Sequence, residues 1–179
     1  MLVKILVGLA VLVGLLVVVV AVQPSEFKVT RTATVAAPPS AVFAQVNDFH
    51  KWEAWSPWAK LDPAARNTFE GAASGTGAAF AWAGNSKVGE GRMTIVESRP
   101  NELVRIKLEF LKPFAATNTA EFTFKPEGDR TQVTWSMFGR NNFVGKAVCL
   151  VMNMDKTLGG EFDKGLAAMK SVAEAAAKN

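Results

Sequence analysis

The sequence predicts an α+β domain, a meander of antiparallel strands followed by a long C-terminal helix, preceded by an N-terminal transmembrane helix. Three observations carry that reading. The run from Ile5 to Val22 has no charge, no proline and nothing more polar than glycine. Apolar and polar residues alternate with period two through most of the segment from Thr76 to Arg140. Beyond Met152 the apolar residues recur every three or four places, the spacing of one helix face.

A helix over the first run reaches about 27 Å at 1.5 Å per residue, close to the roughly 30 Å hydrocarbon core of a bilayer. The run is longer than the apolar region of a secretory signal, about 7–15 residues. Ala21-Val22-Gln23 also lacks the second small residue of a cleavage site. An uncleaved anchor is therefore expected over 1–22, a linker over 23–25 and one domain over 26–179. Lys4 before the span and Lys28 and Arg31 after it give only a weak charge asymmetry. A signal anchor that sends the C-terminal domain to the periplasmic, extracytoplasmic side is expected, so the membrane is one partner.

The net charge is +4 and the charges alternate in sign along the chain. No basic stripe marks a nucleic-acid partner. Cys149 is the single cysteine, so no intrachain disulfide forms, and its neighbours Ala147, Val148, Leu150 and Val151 suit a small buried hydrophobe. Tyrosine is absent, whereas there are 5 tryptophans and 12 phenylalanines. The aromatic surface thus has no phenolic proton donor.

Along the domain, Phe27, Val29, Arg31, Ala33 and Val35 share one side of a first strand. Pro38-Pro39-Ser40 opens a short helix with its apolar side at Val42, Phe43 and Val46. Trp52 and Trp55 lie three apart, so one helical turn presents both on one side before Pro57 ends it. Phe80 and Trp82 share a strand face, and Gly84 to Lys87 is turn chemistry. Val104, Ile106, Leu108 and Phe110 oppose Arg105, Lys107 and Glu109. Ala120, Phe122 and Phe124 repeat the pattern, as do Val133, Trp135 and Met137 after the Pro126-to-Asp129 connection. The closing helix, from about Met152 to Ala177, carries Met154, Leu158, Phe162, Leu166 and Met169 on its stripe. Gly159, Gly160 and Gly165 interrupt it, and are expected to mark close packing over the sheet or a point of flexure.

This order of elements resembles the helix-grip fold of the SRPBCC superfamily, specifically its polyketide cyclase/dehydrase and lipid-transport-like branch, related to START and birch-pollen-allergen proteins. The likeness rests on Ala37-Pro38-Pro39-Ser40-Ala41-Val42-Phe43, Trp52-Glu53-Ala54-Trp55-Ser56-Pro57-Trp58, Gly75-Thr76-Gly77, Gly89-Glu90-Gly91, Thr131-Gln132-Val133-Thr134-Trp135 and Phe162-Asp163-Lys164-Gly165-Leu166. It implies a curved antiparallel sheet wrapped on the long C-terminal helix, with a cavity for a hydrophobic small molecule between them. The implied liners from the sheet are Phe80, Trp82, Met93, Ile106, Leu108, Phe110, Phe122, Trp135 and Met137. Leu158 and Phe162 line it from the helix, and Trp52, Trp55 and Trp58 stand near an entrance. The same alternation of Phe, Leu and Trp also describes a filled core.

Catalytic chemistry has little support. His50 is the single histidine, and with Asp48 and Glu53 it lacks the second nitrogen or sulfur ligand that a zinc or iron site needs. No Gly-x-Ser-x-Gly elbow or phosphate loop occurs. Arg92, Arg105, Lys107 and Glu109 belong on the wet face, with Asn118 and Arg140 as solvated strand ends. No catalytic residue, metal or cofactor is assigned. Three readings follow: a membrane-anchored binding module for a lipid-like or polyketide-like molecule without covalent chemistry, a cyclase/dehydratase-type enzyme, and an interaction domain whose core is full and whose Trp52–Trp58 surface docks a protein.

Overall fold

The apolar run forms helix α1 (Leu2–Val22), and only Val20 in it is buried. It is the one helix among the described residues long and apolar enough to cross a membrane. The computed structural model describes residues 1–178. Gln23 to Ser25 link α1 to β1 (Glu26–Val35), and the Ser25 carbonyl accepts the Asn141 N–H at 2.7 Å.

Seven strands form one antiparallel sheet: β1, β2 (Arg66–Gly71), β3 (Ala78–Ala83), β4 (Glu90–Arg99), β5 (Leu103–Lys112), β6 (Ala116–Glu127) and β7 (Arg130–Arg140). The spatial order is β1-β7-β6-β5-β4-β3-β2, so β2 to β7 are a meander and β1 closes against the last strand. Alternation decides the faces. On β5, Val104, Ile106 and Leu108 are buried, whereas Arg105, Lys107 and Glu109 look outward. Arg105 there bridges Glu97 and Glu121. A register shift between Ile95 and Glu97 leaves Val96 without a cross-strand partner and exposed. One extra residue of this kind keeps both Ile95 and Ser98 on the inner face.

The inner face is covered by α2 (Pro39–Val46), a 3-10 helix (Phe49–Ala54) and the closing helix, here α4 (Met154–Ala176). Proline opens α2, where its missing N–H costs nothing, and Val42 and Val46 are fully buried beneath it. Helix α4 lies chiefly along β1. It is pinned at both ends. Near its start, Arg31 of β1 reaches Asp155 at 2.9 Å and Asp163 at 3.3 Å. Near its end, Glu174 accepts the Ala36 backbone N–H at 2.8 Å. The glycines of α4 allow this close seat. A Cβ at Gly159 would strike the Arg31 guanidinium, and one at Gly165 would stand 2.8 Å from the Trp135 ring and 3.1 Å from Pro57. Gly160 faces open space. Close packing, not flexure, explains two of the three.

One helix was not anticipated, and two expectations need correction. Phe143 to Val151 form a separate helix, α3, because Asn142 caps it by accepting the Gly145 N–H at 2.9 Å. A second cap, Asn153 accepting the Lys156 N–H at 2.9 Å, starts α4 afresh. Cys149 on α3 is half-buried and not fully enclosed, with Asn141 Nδ2 donating to its Sγ at 3.3 Å. Asn118 is not a solvated strand end. It is buried on the inner face, where a Cβ at Gly139 would collide with its amide.

Candidate functional site

Strand register brings the sheet-borne candidates onto one face. Trp135 pairs with Phe122 and Phe122 with Val104, while Met137, Ala120, Ile106 and Ile95 form the adjacent row. A third row runs Gly139, Asn118, Leu108, Met93, Phe80 and Phe69, and a fourth holds Phe110, Gly91 and Trp82. Leu158 and Phe162 of α4 pack on the same core.

Within that face two regions differ. Beneath α4 and the 3-10 helix, Trp135 is sandwiched between Phe162, with centroids 4.1 Å apart and planes 9° apart, and Phe122 at 4.8 Å. Trp52, Trp55 and Trp58 meet its edge at 6.5, 5.6 and 5.8 Å. Edge-to-face and offset contacts of this kind suit the aromatic quadrupole. Trp52 and Trp55 satisfy their indole N–H groups on the carbonyls of Val46 and Gln45, at 3.0 and 3.1 Å. The two therefore do not stand at an entrance or form a docking surface. They are 7% and 2% exposed, because the three-residue period of a 3-10 helix turns both inward. Trp58 alone of the trio is half-buried. Trp135 Nε1 is buried with no hydrogen-bond partner, an uncommon condition for an interior donor.

The second region, on β3 to β5, has no such cover. Phe80, Trp82, Met93 and Phe110 are half-buried, as is Leu158 of α4. Their rings run in series: Phe69 to Phe80 at 5.3 Å, Phe80 to Trp82 at 6.1 Å, Trp82 to Phe110 at 6.1 Å. Gly91 lets Trp82 lie flat against β4, since a Cβ there would enter its ring. Trp82 Nε1 donates to the Val88 carbonyl at 2.9 Å. Phe69 extends the series and stacks on His50 at 4.1 Å. Sequence reasoning missed Phe69 because β2 shows no alternation: every one of its residues is exposed.

Ionisable groups are sparse on this face. Arg31 is the one such side chain at the inner strand positions, and it is engaged by α4. Its hydrogen bond holds the Asp155 carboxyl below the ordinary aspartate value, and the same bond raises Arg31 further. On the outer face the hydrogen bonds that Arg105 donates to Glu121, with Glu97 beside it, raise Arg105. Asp48 accepts from both the backbone N–H and Nδ1 of His50 at 2.9 Å, which caps the 3-10 helix. Among the described residues no three His, Cys, Asp or Glu side chains gather as a metal site. Two open depressions are lined by none of Phe80, Trp82, Met93 and Phe110. One of about 420 Å³ is lined by Gln45, His50, Lys51, Glu53, Ala54 and Lys60. The other, of about 620 Å³, lies where β1 meets the α3–α4 junction.

The family model for polyketide cyclase / dehydrase and lipid transport matches residues 26–174. The chain belongs to this family. Membership in the polyketide cyclase/dehydrase family supports a hydrophobic-ligand-binding or cyclase-type module. No curated protein sequence matches the chain. Among solved structures, the SA2116 protein of unknown function from Staphylococcus aureus superposes with TM-score 0.66 at 12% identity, over 88% of this chain and 99% of that one. The di-domain ARO/CYC StfQ of the steffimycin biosynthetic pathway gives 0.64 at 15% identity, over 87% of this chain and 53% of that one. The Aha1 dimer structure from Colwellia psychrerythraea gives 0.58 at 12% identity, over 83% and 96%. At these identities the likeness is one of fold, and it places this family member in the helix-grip architecture.

Proposed function

We propose that the protein is a membrane-anchored binding module for an apolar, lipid-like small molecule, which it holds without covalent change. The observation that carries this reading is the half-buried aromatic series Phe80, Trp82 and Phe110 with Met93, on the inner face of a family whose name spans cyclases and lipid transport. An apolar molecule laid there removes water from hydrocarbon at about 25 cal/mol per Å², without displacing the packed rings around Trp135. Asn118, buried in the same row as Met93 and Phe80, is a polar group that could orient it. Helix α1, exposed and apolar, would keep the module beside molecules that partition into the bilayer, with the domain on the extracytoplasmic side. A cyclase-type reading calls for an acid or base against the bound molecule, and Arg31 is the one ionisable inner strand side chain. The carrier reading is therefore preferred.

The test is extraction of full-length protein purified from membranes, followed by mass spectrometry. An unrelated domain on the same α1 helix serves as control. Enrichment of an apolar species on the wild-type chain, reduced in Phe110→Ala, is the expected result. Repeated recovery of nothing beyond the control would sink the reading.

A further inference from the structure

Helix α3 is built like a surface helix with its apolar side turned the wrong way. None of its residues is buried, and Phe143, Val144, Leu150 and Val151 are 50, 47, 39 and 86% exposed. At 100° per residue these four, with Ala147, occupy a single arc of the helix, so they form one continuous apolar stripe. An amphipathic helix in a soluble domain places that stripe on the core. Here it faces outward.

What lies beside it identifies the cover. The last turn of α1 packs on α3: Val20 is 3% exposed, and Lys146 Nζ of α3 donates to the Ala21 carbonyl at 3.0 Å. Gln23 to Ser25 span at most about 10 Å, and Ser25 is tied to Asn141 at the head of α3. If α1 crosses a bilayer, α3 cannot leave its surface. The β5–β6 hairpin tip is at the same end of the sheet, because Glu26 pairs with Arg140, Gly139 with Asn118 and Ala116 with Phe110. That tip carries Leu111 and Phe114, 60 and 64% exposed. Two apolar surfaces distant in sequence thus flank the exit of the span.

We propose that α3 and the β5–β6 tip form a second, monotopic contact with the bilayer that holds α1, their apolar side chains entering the boundary between head groups and acyl chains. The proposal rests on the membrane-anchored reading and adds a fixed orientation to it. The domain does not swing on its tether. It sits with the Phe110 and Trp82 end of the aromatic face toward the lipid, where an apolar ligand arrives.

Single environment-sensitive fluorophores test this in the full-length Cys149→Ala chain, reconstituted in phosphatidylcholine vesicles. They are attached at Leu12→Cys, Phe114→Cys, Val151→Cys and, on the opposite β6–β7 turn, Gly128→Cys. Lipids brominated near the carbonyl end of the acyl chain should quench the labels at 151 and 114 about threefold or more over the label at 128, as an interfacial depth requires, while lipids brominated near the terminal methyl report the label at 12, at the middle of the span. Labels at 151 and 114 quenched no more than at 128, with the label at 12 quenched, would leave the anchor standing and overturn the second contact. An unquenched label at 12 would overturn the anchor and the contact together. Blue-shifted emission at 151 without bromine quenching would assign the stripe to a protein cover, a second copy included, and would equally overturn the proposal.

Discussion

The two halves of the inner face have the same sequence character and opposite fates. Under α4, Trp135, Phe122 and Phe162 are stacked and closed off. On β3 to β5, Phe80, Trp82 and Phe110 stand in the same register and remain half-open. The difference is cover, not chemistry: α4 runs along β1, whereas β3 is met chiefly by the short 3-10 helix, through Phe49 on Phe80 at 6.1 Å. Alternation reports which face a residue takes, while burial is decided by whatever element crosses that face. The closed half is packed core, and the open half is the part that the proposed ligand would use.

Truncation should separate them. Phe162→Ala, in the closed half, is expected to cost about 3–5 kcal/mol, read as a fall in the denaturant midpoint of the reconstituted chain. Phe110→Ala should cost clearly less and instead deplete the co-purifying apolar species. Equal destabilisation by the two would erase the distinction. Next in size is Gly165→Val. The added carbons have no room between Trp135 and Pro57, so a loss of about 1–3 kcal/mol is expected, measured in the same unfolding series, whereas Gly160→Ala should be neutral or slightly stabilising.

The smallest effect concerns acid. The Arg31 hydrogen bond lowers the folded Asp155 value below its ordinary 3.8. The stabilisation it brings is therefore complete above that ordinary value and disappears as pH falls through the lower folded one. Asp155→Asn should flatten the acid limb of stability against pH below about 4 and leave neutral pH little changed, as followed by circular dichroism. An unaltered acid limb would mean that the pair does not hold α4.

Much of the architecture was legible because it rests on local period. The strands from Leu103 to Arg140 and the stripe of α4 declare themselves in alternation and three-to-four spacing. The side taken by Arg31 was also legible, though its partners, 124 and 132 residues away, were not. Spacing put Trp52 and Trp55 on one side of a turn, yet inward and outward are equivalent until tertiary contacts choose. Strand β2 was illegible because every residue in it is exposed, so no burial pattern was written into it. Helix α3 escaped notice for a related reason: none of its apolar residues is fully buried, and its two asparagine caps are short signals inside a longer apolar stretch.

The double fastening of α4, by Arg31 at one extremity and Glu174 at the other, resembles a strap buckled at each end. A strap held so does not lift like a hinged door. On the proposed reading, a ligand would therefore reach the inner face sideways, over the unroofed strands, from the strand end that the tether shares.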